Sequence, residues 1–435
     1  MKAGNIFMNM FLPLSAAALM LCSCGGGSSS SEKPEDEPNT SDETEAEETF
    51  PAGWDSEKLP ILAWDGIPAK LASNTTYSDI RNAYISYNLH WYSSADELKQ
   101  VCKIGKDNGV GVFGWYNGLT ERILESEEEA KKAIDEIKDT EGLEYYNIAD
   151  EPNAADFDKL ATVVKRVQEY DDKHPCYINL FPEYASEEQL GTSSYQEYLD
   201  EFIEKVPIQM LSFDYYPITN EGEGGKTIIR ATWFKNLEMA RAASLKSGRP
   251  IWAFACIAKH LVYVRPEARF IRLQVYCDLA YGAKVIEYYS YYPSVDGYKY
   301  TPVDADGSKT SYYDNLQSIN KELQNRARVF VGTNVTGVWH IGSNLPTGTA
   351  ELSASELPSG VESVNTDGSD VVVSVLEKES AKYLMLVNAS LSSCKIQITF
   401  GRSVSQISET GGEKAIPASF STSANCGDAL IFKIS

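Results

Sequence analysis

Histidine is scarce in this chain, with four residues in 435 (His90, His174, His260 and His340), and no Cys-x-x-Cys pair occurs. Spacing therefore offers no structural zinc site, and no metal or cofactor is expected. Beyond the N-terminus no apolar run approaches the roughly 20 residues a spanning helix needs. There is no Gly-x-Ser-x-Gly elbow and no Walker loop. Basic residues are outnumbered, 39 Lys and Arg against 62 Asp and Glu, for a net charge of −23. That surface argues against nucleic acid or anionic lipid as a partner. What is present is an ordinary globular composition, 43% apolar and 23% charged, enough for a sizeable core. The length fits two or three domains.

The first 24 residues read as a targeting segment. Lys2 is the only early charge, and a mostly apolar stretch runs from Ile6 to Leu21, as a secretory signal requires. It ends in Leu21-Cys22-Ser23-Cys24 before Gly25-Gly26-Gly27. This resembles a bacterial lipobox, which implies that Cys24 becomes the lipidated first residue. Residues 25–50 read as a tether, flexible in its Gly and Ser and acidic from Glu32 to Glu48. That run holds nine carboxylates and one lysine, a net of −8. Acidic residues so placed resemble the export signals of surface lipoproteins in glycan-degrading gut bacteria. The expected location is the bacterial outer membrane, on the cell surface or periplasmic face, held only by the lipid. Six cysteines then remain, and Cys394 and Cys426 either pair in an oxidising compartment or stay as buried thiols.

From Leu59 onward a short apolar strand alternates with a longer amphipathic helix, eight times. The strand candidates are 60–65, 83–88, 110–115, 143–149, 176–181, 209–215, 250–256 and 284–290. Apolar residues at three-to-four spacing mark helices over Glu127–Asp139, Phe157–Tyr170, Arg230–Leu245, Ala268–Tyr281 and Tyr313–Arg328. Such alternation means parallel strands joined by crossovers. Eight units in this span predict a (β/α)8 TIM barrel over 51–335. After about residue 335 short β-rich runs (Val371–Leu376, Tyr383–Asn388, Lys395–Phe400, Ala429–Ile434) are separated by Gly, Ser, Asn and Asp. They predict a small antiparallel β-sandwich over 336–435.

Active sites of such barrels lie at the carboxyl ends of the strands. Trp64-Asp65 ends the first strand, Asn88 the second and Trp115 the third. Asp150-Glu151-Pro152-Asn153 ends the fourth, and Asp214-Tyr215-Tyr216 the sixth. The seventh carries Trp252 and the eighth Glu287 and Tyr289. Carboxylates supply the proton and the nucleophile or base of glycosidic cleavage. Aromatic faces suit the C–H face of a sugar, and their polar atoms suit its hydroxyls. Asp65, Trp64, Asn88, Trp115, Asp150, Asn153, Tyr216, Trp252 and Tyr289 are therefore expected to contact an oligo- or polysaccharide.

The segment Tyr145-Tyr146-Asn147-Ile148-Ala149-Asp150-Glu151-Pro152-Asn153 resembles the Asn-Glu-Pro signature on the fourth strand of the large (β/α)8 glycoside hydrolase clan that includes β-galactosidases and cellulases. The resemblance implies that Glu151 is the general acid/base. Asp150 departs from the pattern, where the clan has Asn, and a like charge there would raise the pKa of Glu151. Tyr312 to Asn320 also resembles the last helix of such barrels.

The clan's nucleophile, a Glu at the end of the seventh strand, has no counterpart in Pro250-Ile251-Trp252-Ala253-Phe254-Ala255-Cys256. Alternation turns Asp214 inward near the top of its strand, making it the first substitute. Glu287, a carboxylate in an apolar strand, is the second. Lys259-His260 reads as a solvated loop. The expected activity is glycoside hydrolysis. Two alternatives stay open: a degenerate carbohydrate-binding lipoprotein, and substrate-assisted cleavage that needs only one acid.

Overall fold

The computed structural model describes residues 58–435. The signal segment, Cys24 and the tether lie outside the described residues. Eight parallel strands close a barrel: β1 (Ile61–Trp64), β2 (Tyr87–Leu89), β3 (Gly111–Gly114), β4 (Leu143–Asp150), β5 (Cys176–Leu180), β6 (Leu211–Phe213), then β9 (Ile251–Cys256) and β10 (Ala283–Tyr289), which pairs back to β1. A small antiparallel hairpin, β7 (Ile218–Gly222) and β8 (Lys226–Ile229), interrupts the order after β6. The surrounding helices are α1 (Asn74–Asn82), α2 (Ala95–Asp107), α3 (Leu119–Glu125), α4 (Glu127–Asp135), α5 (Phe157–Tyr170), α6 (Glu187–Leu190), α7 (Tyr195–Lys205), α8 (Trp233–Ser247), α9 (Ala268–Ala280), α10 (Ser311–Asn325) and α11 (Ala327–Phe330).

The second strand differs from the sequence expectation of 83–88. Ala83, Tyr84 and Ile85 finish α1 instead. Tyr84 takes a left-handed φ of 58°, its N–H reaches Arg81 O at 2.9 Å, and the N–H of Ile85 reaches back to Ile80 O at 3.2 Å. This five-residue return closes the helix end, so β2 starts at Tyr87.

The C-terminal region is a sandwich of a six-stranded and a three-stranded antiparallel sheet. The larger has the order β11 (Asn334–Ile341), β13 (Val371–Lys378), β14 (Ala381–Asn388), β19 (Ala429–Lys433), β16 (Val404–Ile407), β17 (Glu413–Ile416). The smaller has the order β12 (Val361–Thr366), β15 (Cys394–Phe400), β18 (Ser419–Ala424). Val371, Val373, Val375, Leu384, Leu386 and Phe432 meet Ile396, Ile398 and Phe400 of the smaller sheet. Val372, Leu376, Met385, Val387 and Ile431 face the other way and join the barrel's core, with α9 packed on β13 and β14. Both faces of the larger sheet are covered, which is why Val371 to Leu376 is almost continuously apolar. Cys394 and Cys426 are buried free thiols, and the other cysteines among the described residues are free as well.

Candidate active site

The carboxyl ends of the barrel strands gather four acids. Glu151 follows β4 with a left-handed φ of 46°, a conformation uncommon outside glycine that clusters at functional sites. Its N–H is held by Asn179 O at 2.9 Å. The turn behind it is pinned twice. Tyr198 donates its hydroxyl to Pro152 O at 2.7 Å. Asn153 caps the 3-10 turn Ala154–Asp156 by accepting from the N–H of Ala155 at 2.9 Å. Helix capping thus falls to Asn153, and Asp150 and Glu151 stay available to the mouth.

The Glu151 and Asp214 carboxyls lie within hydrogen-bonding reach of each other. Glu151 is raised well above the usual range by burial first, then by the charges of Asp214 and Asp150. Burial and then the charge of Asp150 raise Asp214 well above the usual range, against lowering bonds from Asn179 and Glu151. Asp150 touches solvent on one side and protein on the others. Burial lifts it to about 6, against a lowering bond from Asn179. Asn179 Nδ2 lies 3.0 Å from Asp150 Oδ1 and 3.1 Å from Asp214 Oδ1.

Below this layer sits Glu287, fully buried. Tyr177 donates to its Oε1 at 2.7 Å and Ser212 Oγ lies 2.7 Å from its Oε2. Ser212 Oγ is also 3.0 Å from Asn179 Oδ1. Burial raises Glu287 to about 8, so it is largely neutral at pH 7.

The facing wall is aromatic. Trp64 packs against Trp115 (ring centroids 5.9 Å) and Tyr289 (5.6 Å). Tyr216 stacks on Tyr289 at 5.7 Å, and the Tyr289 and Tyr298 hydroxyls are 2.7 Å apart. His260 stacks on Tyr298 at 4.5 Å and is buried; desolvation lowers it to about 4. It is part of the wall and not of a solvated loop. Among the described residues, four of the five exposed large hydrophobics (Trp91, Leu261, Val262 and Tyr300) lie in loops at this end, so the rim is apolar as well.

Several expected contacts are placed elsewhere. Asn88 is fully buried and holds the Ile67 backbone, accepting its N–H at 2.7 Å and donating to its carbonyl at 3.2 Å. Asn153 spends its amide hydrogens on Glu188 O and Gln189 O at 2.9 and 3.0 Å. Trp252, near the start of β9, packs inside the barrel on Tyr145 and Tyr177 at 5.3 and 5.6 Å. Glu287 lies beneath the mouth, fully buried against Tyr177 and Ser212. Asp65 accepts from Ser294 and faces His90 Nε2 at 3.6 Å. It thereby ties together the loops after β1, β2 and β10. Burial raises its pKa and these two partners lower it. Trp64, Trp115, Asp150, Glu151, Asp214, Tyr216 and Tyr289 do come together at the mouth.

Cys256 ends β9 where the seventh-strand acid of the resembled clan would stand. Its thiol donates to Ala258 O at 3.2 Å, and burial pushes it up to about 12, so it is no nucleophile at neutral pH. Sequence reasoning missed Asn179, Ser212, Tyr177 and Tyr298. A signal for Asn179 existed: it is a polar residue at an inward position of an apolar strand, as Glu287 is.

No protein-family model matches the chain, and no curated protein matches it in sequence. Solved structures do match in fold. A family 39 glycoside hydrolase from the gut symbiont Bacteroides cellulosilyticus WH2 aligns at a TM-score of 0.53 and 11% identity, over 88% of this chain and 82% of that one. A β-galactosidase from Bacillus circulans sp. alkalophilus aligns at 0.58 and 9%, over 87% and 99%. A GH42 β-galactosidase from G. stearothermophilus aligns at 0.60 and 8%, over 87% and 98%. At these identities the likeness is one of fold.

Proposed function

We propose that this protein hydrolyses glycosidic bonds of an oligo- or polysaccharide, with Glu151 as the general acid. The observation that carries this reading is a carboxyl at the end of β4 that contacts Asp214, opposite an aromatic wall, with its pKa raised by burial and by two neighbouring carboxylates. A general acid must hold its proton at the working pH, and burial beside two like charges raises the pKa of Glu151 in that direction. Asp150, ionised above about pH 6, is placed to accept a hydrogen bond from the sugar. Three acids at the mouth, Asp150, Glu151 and Asp214, favour a neutral or cationic glycan over an acidic one. Asp214 touches Glu151, whereas carboxylates that work from opposite faces of a sugar stand about 5–9.5 Å apart. Asp214 therefore tunes the acid, and the attacking group is water or a group of the substrate.

The test is cleavage of a panel of aryl glycosides and polysaccharides by the protein and by Glu151→Gln. The expected loss is about 100-fold or more. Undiminished cleavage by the variant would remove Glu151 from the role. The absence of a carboxylate on β9 favours a second reading, carbohydrate binding without cleavage. Sugar binding by a parent that cleaves nothing on the panel would establish that one.

The segment Leu21 to Cys24 supports a further part of the proposal: anchoring by lipid on Cys24 at the outer membrane. Radiolabelled palmitate should enter the protein in a bacterial host and be lost in Cys24→Ala. Equal label in both would end that assignment.

A further inference from the structure

Two of the acids at the mouth, Asp150 and Asp214, share one amide. Asn179 Oδ1 and Nδ2 are set by what surrounds them. Two carboxylate oxygens, of Asp150 at 3.0 Å and Asp214 at 3.1 Å, face one end of the amide. Carboxylates accept hydrogen bonds, so that end is the NH2, with one hydrogen for each. Each N–H favours the ionised form of the acid it touches. The hydrogen-bond partners of Asn179's side chain do not include Glu151, which is bonded to Asp214 instead. Because each Asn179 N–H favours an ionised aspartate, it biases the hydrogen of the Glu151–Asp214 contact toward Glu151.

We propose that Asn179 is a positioning residue that assigns the proton of this carboxyl cluster to Glu151, through an amide orientation fixed by Ser212 and Glu287. This rests on the reading of Glu151 as the acid. The hydrogens can be counted. Asn179 Oδ1 accepts from Ser212 Oγ at 3.0 Å. That uses the only hydrogen of Ser212. The 2.7 Å contact between Ser212 Oγ and Glu287 Oε2 must then be donated by Glu287. Tyr177 donates to Glu287 Oε1 at 2.7 Å, and the Tyr177–Ser212 contact at 3.0 Å is the side of the triangle without a hydrogen. The chain thus runs from Glu287 to Ser212 to Asn179 to the two aspartates, one hydrogen per link. It requires a neutral Glu287. The titratable groups facing that residue are Tyr177 on β5 and Asp150 at the end of β4. Leu62 and Phe254 flank it on β1 and β9. Ionised Glu287 would draw the Ser212 hydrogen to itself and leave Asn179 Oδ1 facing a lone pair.

The experiment is a pH titration followed by carbon NMR of full-length protein carrying 13C in its Glu and Asp carboxyls. Glu151→Gln assigns the Glu151 signal, and thermal unfolding checks that each variant folds. In Asn179→Leu the aspartates lose their donor and compete for the proton, so the Glu151 midpoint should fall by about one pH unit, tenfold in its acid constant. Ser212→Ala should shift it the same way by less, and it carries the test if Asn179→Leu does not fold. Glu287→Gln keeps a donor to Ser212 and an acceptor for Tyr177, and should leave the midpoint in place. An unmoved Glu151 midpoint in folded Asn179→Leu and Ser212→Ala would overturn the proposal. So would an equal shift in Glu287→Gln. The readout needs no substrate: a parent inactive on every glycoside would defeat the proposed reaction and leave the titration to decide the role of Asn179.

Discussion

At the scale of single residues, a carboxyl's depth decides its chemistry. Glu287 is fully buried beneath the layer that holds Glu151 and Asp150, and only those two meet the mouth. Glu287 carries a stability consequence that can be measured. The unfolded chain releases this proton near the ordinary value of 4.5, whereas the folded protein holds it to about 8. Between those values the folded state binds more protons, so stability falls as pH rises through that window. The contribution is fully present below pH 4.5 and gone above about 8. Denaturant unfolding between pH 4.5 and 9 should show this slope in the parent, and Glu287→Gln should flatten it. A variant with the parent's slope would place the titration on another group. Asp214 illustrates the same dependence on surroundings: alternation along β6 turns it inward, but its bond to Glu151 makes it a partner of the acid and not its counterpart across a sugar.

At the scale of elements, the turn after β4 is held by its own side chains. Asn153 makes three hydrogen bonds, to the N–H of Ala155 and the carbonyls of Glu188 and Gln189. It joins the site turn to α6, and Gly191 at the end of α6 has no room for a side chain, since a Cβ there would lie 2.2 Å from Asn153 Oδ1. Asn153→Ala removes a cap and frees two carbonyls, a cost of about 1–3 kcal/mol in denaturant unfolding. Activity should fall less than in Glu151→Gln, because the acid itself remains. A loss as large as that of Glu151→Gln would mean that Asn153 acts on the substrate. The same logic explains β2. A run of Ala83 to Asn88 has strand-like residues, but the return from Ile85 to Ile80 O gives the backbone a better partner at a helix end.

At the scale of the whole described molecule, barrel and sandwich share a core. Met385, Val387 and Ile431 of the sandwich belong to the barrel's apolar cluster, each worth about 1.5–3 kcal/mol when fully buried. Polar groups cross the same boundary. His340 on β11 is fully buried between Asp370 Oδ1 at 2.8 Å and the Tyr281 hydroxyl at 2.9 Å. Arg272 on α9 pairs with Glu322 of the barrel and with Glu409 of the sandwich, the latter at 3.0 Å. Gly427, at φ 77°, lets the sandwich approach α9 so closely that a Cβ would lie 2.4 Å from Leu273 N. Calorimetry should therefore record one cooperative unfolding transition for both parts. Two separated transitions would show that the shared core does not couple them.

The sequence by itself determined the elements whose period is unmistakable. Strands and helices alternate from Leu59, and α5 runs over Phe157–Tyr170 as its three-to-four spacing requires. The position of Glu151 at a strand end was equally legible, because the barrel puts all such ends on one face. Tertiary structure alone decided which polar residues share that face and which are spent beneath it. Asn88, Asn153 and Trp252 sit in strand and turn positions that look functional, yet backbone partners or barrel packing consume them. Asn179 and Ser212 come from different strands and become neighbours only when the barrel closes. No one-dimensional pattern records a hydrogen bond across strands, and the charge state of the acid depends on several of them at once. For the same reason the unbroken apolar run of β13 disclosed a buried strand, while its second covering, the barrel itself, appeared only in three dimensions.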